Sequence, residues 1–110
     1  MIDETIHRIR ERIDKADTLS DDRKKELLGL VTTLQAEVED LSKTRREQAE
    51  SVARFAELST HEATRQERDR HLVDVSLQGL AGSVRKLEVS HPRLAEIVNQ
   101  MCITLADMGI

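Results

Sequence analysis

The side chains best suited to chemistry in this sequence are four histidines, His7, His61, His71 and His91, and a single cysteine, Cys102. Imidazole moves protons or binds metals, and a thiolate attacks carbon or ligates zinc. His61 and His71 lie ten residues apart on a tract that also holds Glu62, Glu67 and Asp69. Ten steps of about 100° leave the two rings on different sides of one helix, so the tract reads as solvated charge rather than a preformed metal site. His91 precedes Pro92 in the register of an apolar stripe, and Cys102 follows beside Met101. An enzymatic site would have to lie near this pair, yet the sequence supplies neither a nucleophile–base motif nor a pocket. The plain roles are a ring hydrogen-bonded in a bend and a buried thiol. Glu37, Glu39 and Asp40 fall on differing azimuths, and Asp21-Asp22 suits a helix start better than a pair of catalytic acids. No residue is assigned a catalytic, metal-binding or cofactor-binding role, and no cofactor is expected.

Composition narrows the classes further. The 110 residues allow one domain, 1–110, near the lower size at which a single core fills well. Phe55 is the sole aromatic residue, Pro92 the sole proline, and four glycines serve the whole chain. Helix formers dominate and the β-branched and aromatic clusters of strands are missing, which makes the fold all-α. With 21 acidic and 17 basic residues, the net charge of −4 offers no broad attraction for a phosphate backbone. The arginine pairs and clusters at 45–46 and 65–70 are diluted by carboxylates and carry no interleaved aromatics, so nucleic acid is not an expected partner. No apolar run is long enough for a membrane span and no secretory leader is evident, so a cytoplasmic location is expected. One cysteine fits a reducing compartment.

These side chains must be positioned by amphipathic helices. Ile2, Ile6, Ile9, Ile13 and Ala16 alternate by fours and threes, predicting a helix over 2–16. Asp17 to Asp22 read as a turn, with Ser20 as N-cap and two aspartates in the first turn of the next helix. Its stripe, Leu27, Val31, Leu34, Val38 and Leu41, resumes at Val52 and Phe55 across polar slots at Arg45 and Gln48. The periodicity therefore predicts one long helix over 21–58 with a wet middle. Ser59-Thr60-His61-Glu62 matches a capping box, with Leu58 as its staple, and places a reversal and a charged, mobile tip within 59–70. The alternative is an unbroken rod to Glu88, about 100 Å long. Val73, Leu77, Leu80, Val84 and Leu87 predict a third helix over 62–89, with Leu72 and Val75 widening its buried face. Leu94, Val98, Met101, Leu105 and Met108 predict a fourth over 91–108, closed by Gly109. Ser90-His91-Pro92 marks the break between them, Ser90 acting as N-cap and Pro92 lying in the first turn.

Residues 87–110, from Leu87-Glu88-Val89-Ser90-His91-Pro92-Arg93-Leu94 to Leu105-Ala106-Asp107-Met108-Gly109-Ile110, resemble the C-terminal signature of a bacterial family known as domain of unknown function 4404. The N-terminal helix and the turn Leu19-Ser20-Asp21-Asp22-Arg23 share a weaker likeness. The resemblance implies a bacterial, helical protein and carries no activity with it. From the stripes themselves the expected architecture is a coiled-coil-like helical hairpin with short terminal helices, completed as a multi-helix bundle by self-association. The expected function is a structural or protein-interaction module acting as a homo-oligomer, with a dimer favoured and a protein partner allowed for. Leu94, Ile97, Val98, Met101, Leu105 and Met108 are the expected contact surface, being on the least charged helix. A small regulatory ligand-binding protein, or an enzyme near His91 and Cys102, is the alternative.

Overall fold

In the computed structural model, which describes residues 2–108, five α-helices follow one another: α1 (Ile2–Lys15), α2 (Asp21–Ser42), α3 (Arg46–Thr64), α4 (Arg70–Ser83) and α5 (Pro92–Met108). A short 3₁₀ turn (Arg85–Leu87) links the last two. The first helix follows its isoleucine stripe, with Ile6, Ile9 and Ile13 fully buried. The second starts as its residues require: the Ser20 hydroxyl accepts a hydrogen bond from the Arg23 amide at 3.2 Å, and Asp21 and Asp22 face the positive helix end.

The expected long helix over 21–58 does not form. The chain leaves α2 at Ser42 and re-enters a helix at Arg46, turning back through 43–45. The Lys43, Thr44 and Arg45 amides close on Asp40 and Leu41 carbonyls, and Arg45 adopts φ −140° and ψ 72°. An unbroken helix would hold the Arg45 guanidinium in an apolar seam without a partner, which is costly. Reversal leaves Arg45 exposed and lays the two apolar halves side by side. Neither glycine nor proline is needed for it.

The expected reversal at Ser59 is likewise absent. Ser59 and Thr60 lie inside α3 and donate their hydroxyls backwards, to Phe55 and Ala56 carbonyls at 2.8 Å each. A capping box needs those oxygens to accept from amides ahead of them. Residues 59–64 are helical, and Thr60, Glu62, Ala63 and Thr64 are buried rather than forming a tip. The turn spans 65–69. Asp69 is the true N-cap of α4, its carboxylate accepting from the His71 and Leu72 amides at 2.9 and 3.4 Å. The break before Pro92 is present, so no helix runs through it. The Ala95 amide bonds the His91 carbonyl, which puts His91 in the cap position, while the Ser90 hydroxyl lies 2.9 Å from His91 Nδ1. The expected close at Gly109 lies outside the described residues.

Successive helices run up and down. Arg10 bonds Thr32 and Gln35 across α1 and α2, Ser59 bonds Ser76 across α3 and α4, and Cys102 faces Leu77 across α5 and α4. α3 is the central helix, packed on α1, α2, α4 and α5. Its Ala49, Ala53, Ala56 and Ala63 are buried and let four neighbours approach closely. All five helices feed one core that includes Ile9, Leu34, Val52, Leu80, Val98 and Leu105. The radius of gyration is 12.9 Å, matching the ~13 Å of a compact chain this size. A coiled-coil-like hairpin needing a second chain to cover its stripes is therefore overturned. Breaking the long stripe at 43–45 supplies, within one chain, the helices that self-association was expected to provide.

Candidate functional site

The groups with chemical potential are dispersed. His7 is exposed and pairs with Glu11 one turn on, at 3.2 Å. His61 lies 3.9 Å from Glu62, and His71 is exposed on the first turn of α4. Among the described residues no three histidine, cysteine or carboxylate side chains gather to hold a metal. His91 sits at the start of α5, while Cys102 is eleven residues along it, about 16 Å away in rise. Cys102 is half-buried against the Leu77 carbonyl, 3.9 Å from its sulfur. Burial pushes its thiol pKa up, away from the thiolate a nucleophile needs. The structure does not bring His91 and Cys102 together. Glu37 is 3.8 Å from Arg93, and Glu39 bonds Gln35.

The C-terminal stripe faces inward. Leu94, Val98, Met101 and Leu105 have no exposed surface, and Ile97 and Met108 lie at the core's margin. Of Gly79 and Gly82, only Gly79 is tight: a Cβ there would stand 2.5 Å from Phe55 Cε1, whereas a Cβ at Gly82 would meet nothing within 4 Å.

A cleft of about 450 Å³ opens where α1 and α3 end, lined by Arg8, Arg12, Lys15, Glu57, Thr64 and Arg65 among others. Its charges answer to the fold. Arg8 bonds Glu57 at 2.6 Å and Arg65 bonds Glu62 at 2.8 Å. Each carboxylate raises its arginine's pKa, first through the hydrogen bond and then through its charge. Nearby cations and hydroxyls close helix ends: Lys24 donates to the Asp14 carbonyl, Thr18 to Thr64, and Arg68 to Met108. Helix C-termini carry partial negative charge, and these donors neutralise it. Arg12, Lys15 and Asp17 also line the cleft and take no part in these bonds.

The outer face of α3 and α4 is different. Phe55, Leu58, Leu72 and Val75 are 37%, 44%, 39% and 50% exposed. The cause is the contact line beneath them. Ser59, Ser76 and Gly79 are the residues at which the two helices meet: the Ser59 hydroxyl reaches the Ser76 carbonyl at 3.0 Å, and the Phe55 ring lies over Gly79. Small residues draw the backbones together, and the large side chains flanking that line remain partly exposed as an apolar face. Sequence reading assigned these four to the seam, the staple and a widened buried face. A finer azimuth comparison carried the signal. On α3, Leu58 stands about 120° from Val52 and farther from Ala56 and Ala63, the side that the core occupies.

The architecture defines a five-helix up-and-down bundle with exposed apolar side chains on the outer face of α3 and α4. The chain belongs to the family described as Domain of unknown function (DUF4404), whose model matches residues 30–110. The matched range takes in most of α2, the whole of α3 and α4 and the C-terminal signature. No curated protein and no solved structure matches the chain. No described helix is long and apolar enough to cross a membrane.

Proposed function

We propose that this protein is a non-catalytic protein-interaction module that docks a partner on the exposed apolar face of α3 and α4. One observation carries the reading: a bundle whose core is already closed keeps four large apolar side chains together on one face. Scattered surface leucines are ordinary, but a contiguous cluster on a small bundle is where partners bind. The stripe Leu94, Ile97, Val98, Met101, Leu105 and Met108 enters the proposal as part of the core behind that face. A bacterial cytoplasmic setting, with Cys102 reduced, and no direct role for nucleic acid belong to the same reading.

The test is site-specific photocrosslinking in bacterial cells, with the photoreactive residue at position 75 on the α3–α4 face or at position 96, on the α5 surface. Discrete adducts from position 75 and none from position 96 are expected. Equal adducts from both, or none from either, would overturn the proposal.

A further inference from the structure

We propose that the turn at 43–45 is the hinge of a domain exchange between two copies of this chain, and that Arg45 and Gln48 hold the protein in its one-chain form. In the exchanged dimer α2 and α3 continue as one straight helix, and α1–α2 of each copy packs on α3–α5 of the other. Each lobe then keeps the packing of the single-chain bundle, which makes exchange a low-cost route to a dimer. The inference goes beyond partner docking on α3 and α4 and does not rest on it. The hinge is close to helical as it stands. The Arg45 amide bonds the Leu41 carbonyl at 2.8 Å, and the Ala49 amide bonds the Arg45 carbonyl at 3.0 Å, both over the four-residue step of an α-helix. Lys43 has helical angles, φ −68° and ψ −29°. Arg45 departs from them, with φ −140° and ψ 72°, and no side chain caps the first turn of α3. Rotation there would let the amides of Arg46, Glu47 and Gln48 take the carbonyls of Ser42, Lys43 and Thr44, groups that a helix end leaves without an intrahelical partner. Neither glycine nor proline stands in the hinge to oppose it.

The apolar stripe points the same way independently. In the single chain α2 and α3 pack side by side, running in opposite directions. Two straightened helices laid antiparallel would pair α2 of one copy with α3 of the other at both ends. That pairing requires one apolar face along the whole length. From Leu41 to Val52 is eleven residues, which is three turns and about 20°. The buried faces of α2 and α3 therefore stay on one side when the hinge opens. Arg45 and Gln48 are the interruption. In the single chain they bond one another at 3.4 Å at the end of the bundle, with Arg45 exposed. In the exchanged dimer they would lie between the two lobes, facing the same pair from the second copy. Desolvation of two guanidinium groups and their mutual repulsion oppose that arrangement. Polar residues in an apolar seam select one assembly over another in this way.

The experiment compares the natural chain with an Arg45→Leu, Gln48→Leu chain, each refolded at high concentration and sized by sedimentation. The variant should hold at least about tenfold more dimer at equal concentration. Arg45→Ala, Gln48→Ala should shift the same way with less apolar surface, and it carries the test if the leucine chain aggregates. A run of glycines inserted between Thr44 and Arg45 in either variant should restore the monomer, because a flexible turn favours reversal. Crosslinking identifies the exchange. In a Cys102→Ala background, Arg8→Cys with Glu57→Cys marks the α1–α3 contact across the hinge, and Arg10→Cys with Thr32→Cys marks the α1–α2 contact on one side of it. A bismaleimide should join 8 to 57 between chains in the variants and within one chain in the natural protein. It should join 10 to 32 within one chain in all of them. Absence of interchain 8–57 linkage in both variants, or its presence in the natural chain, would overturn the proposal.

Discussion

Helix α5 and the outer face of α3–α4 are built from the same kinds of side chain, yet one holds them inside and the other outside. Leu94, Val98, Met101 and Leu105 repeat at intervals of four and three and meet α2, α3 and α4, so every turn finds a neighbour. Leu58 and Val75 also lie on helices with apolar stripes, but those stripes are wider than the contact that covers them. Serine and glycine at the α3–α4 contact bring the backbones close and leave the larger residues beside it unburied. Burial is decided by what lies opposite a residue, not by its hydrophobicity alone.

The largest effect that tests this contrast is a carboxylate on each side of it. Val98→Asp puts an unpaired charge into the core and should cost more than about 3 kcal/mol, enough to unfold a small domain. Val75→Asp should change stability by no more than about 0.5 kcal/mol, as a surface substitution does. Urea unfolding of the two proteins measures both. Comparable losses would erase the distinction between core stripe and exposed face.

An intermediate effect sharpens where the second region begins. Asp69 accepts two amide hydrogen bonds at the start of α4, so Asp69→Ala should cost about 1 kcal/mol. If α4 instead began near residue 62, the same change would be silent in a thermal melt.

Glycine substitutions probe the contact line itself. Gly29 lies on the exposed side of α2 with nothing within 4 Å of an added Cβ, so Gly29→Ala should stabilise by up to about 1 kcal/mol. Gly79→Ala gains the same helix propensity but pushes the Phe55 ring outward, so its net effect should be smaller or opposite. Phe55 is the only aromatic residue, so its fluorescence reports that displacement directly. Equal stabilisation at both sites, with Phe55 emission unchanged, would contradict the close approach.

The smallest effect concerns Cys102. Burial raises its thiol pKa, so the folded chain holds that proton more firmly than the unfolded chain does. Its contribution to stability is complete below the ordinary thiol range and is lost as pH rises through it. Thermal melts from neutral to alkaline pH should fall more steeply for the natural chain than for Cys102→Ala. Parallel curves would place the thiol in water rather than beside Leu77.

Much of this was legible in the amino-acid order. Local chemistry determined the all-α class, the isoleucine face of α1, the Ser20 cap and the break at Pro92, because each depends on spacing, a side-chain acceptor or a ring within a few residues. Two polar slots at Arg45 and Gln48 do not say whether a helix crosses them or turns, because both outcomes keep the stripe in phase. Ser59 to Glu62 has the letters of a capping box, and whether those hydroxyls face amides ahead or carbonyls behind depends on the helix being continued by tertiary contacts.

The tertiary structure decided the rest. Turning back at 43–45 relieves the Arg45 slot, supplies a fifth helix and lets one chain close its own core, where periodicity alone had called for a second. It also decided which members of broad apolar stripes would be covered. The physical reason is that hydrophobic burial is non-directional and proportional to area, so a stripe states how much surface seeks cover without naming what will cover it. Only the packing of Ser59, Ser76 and Gly79 left Phe55, Leu58, Leu72 and Val75 at the surface.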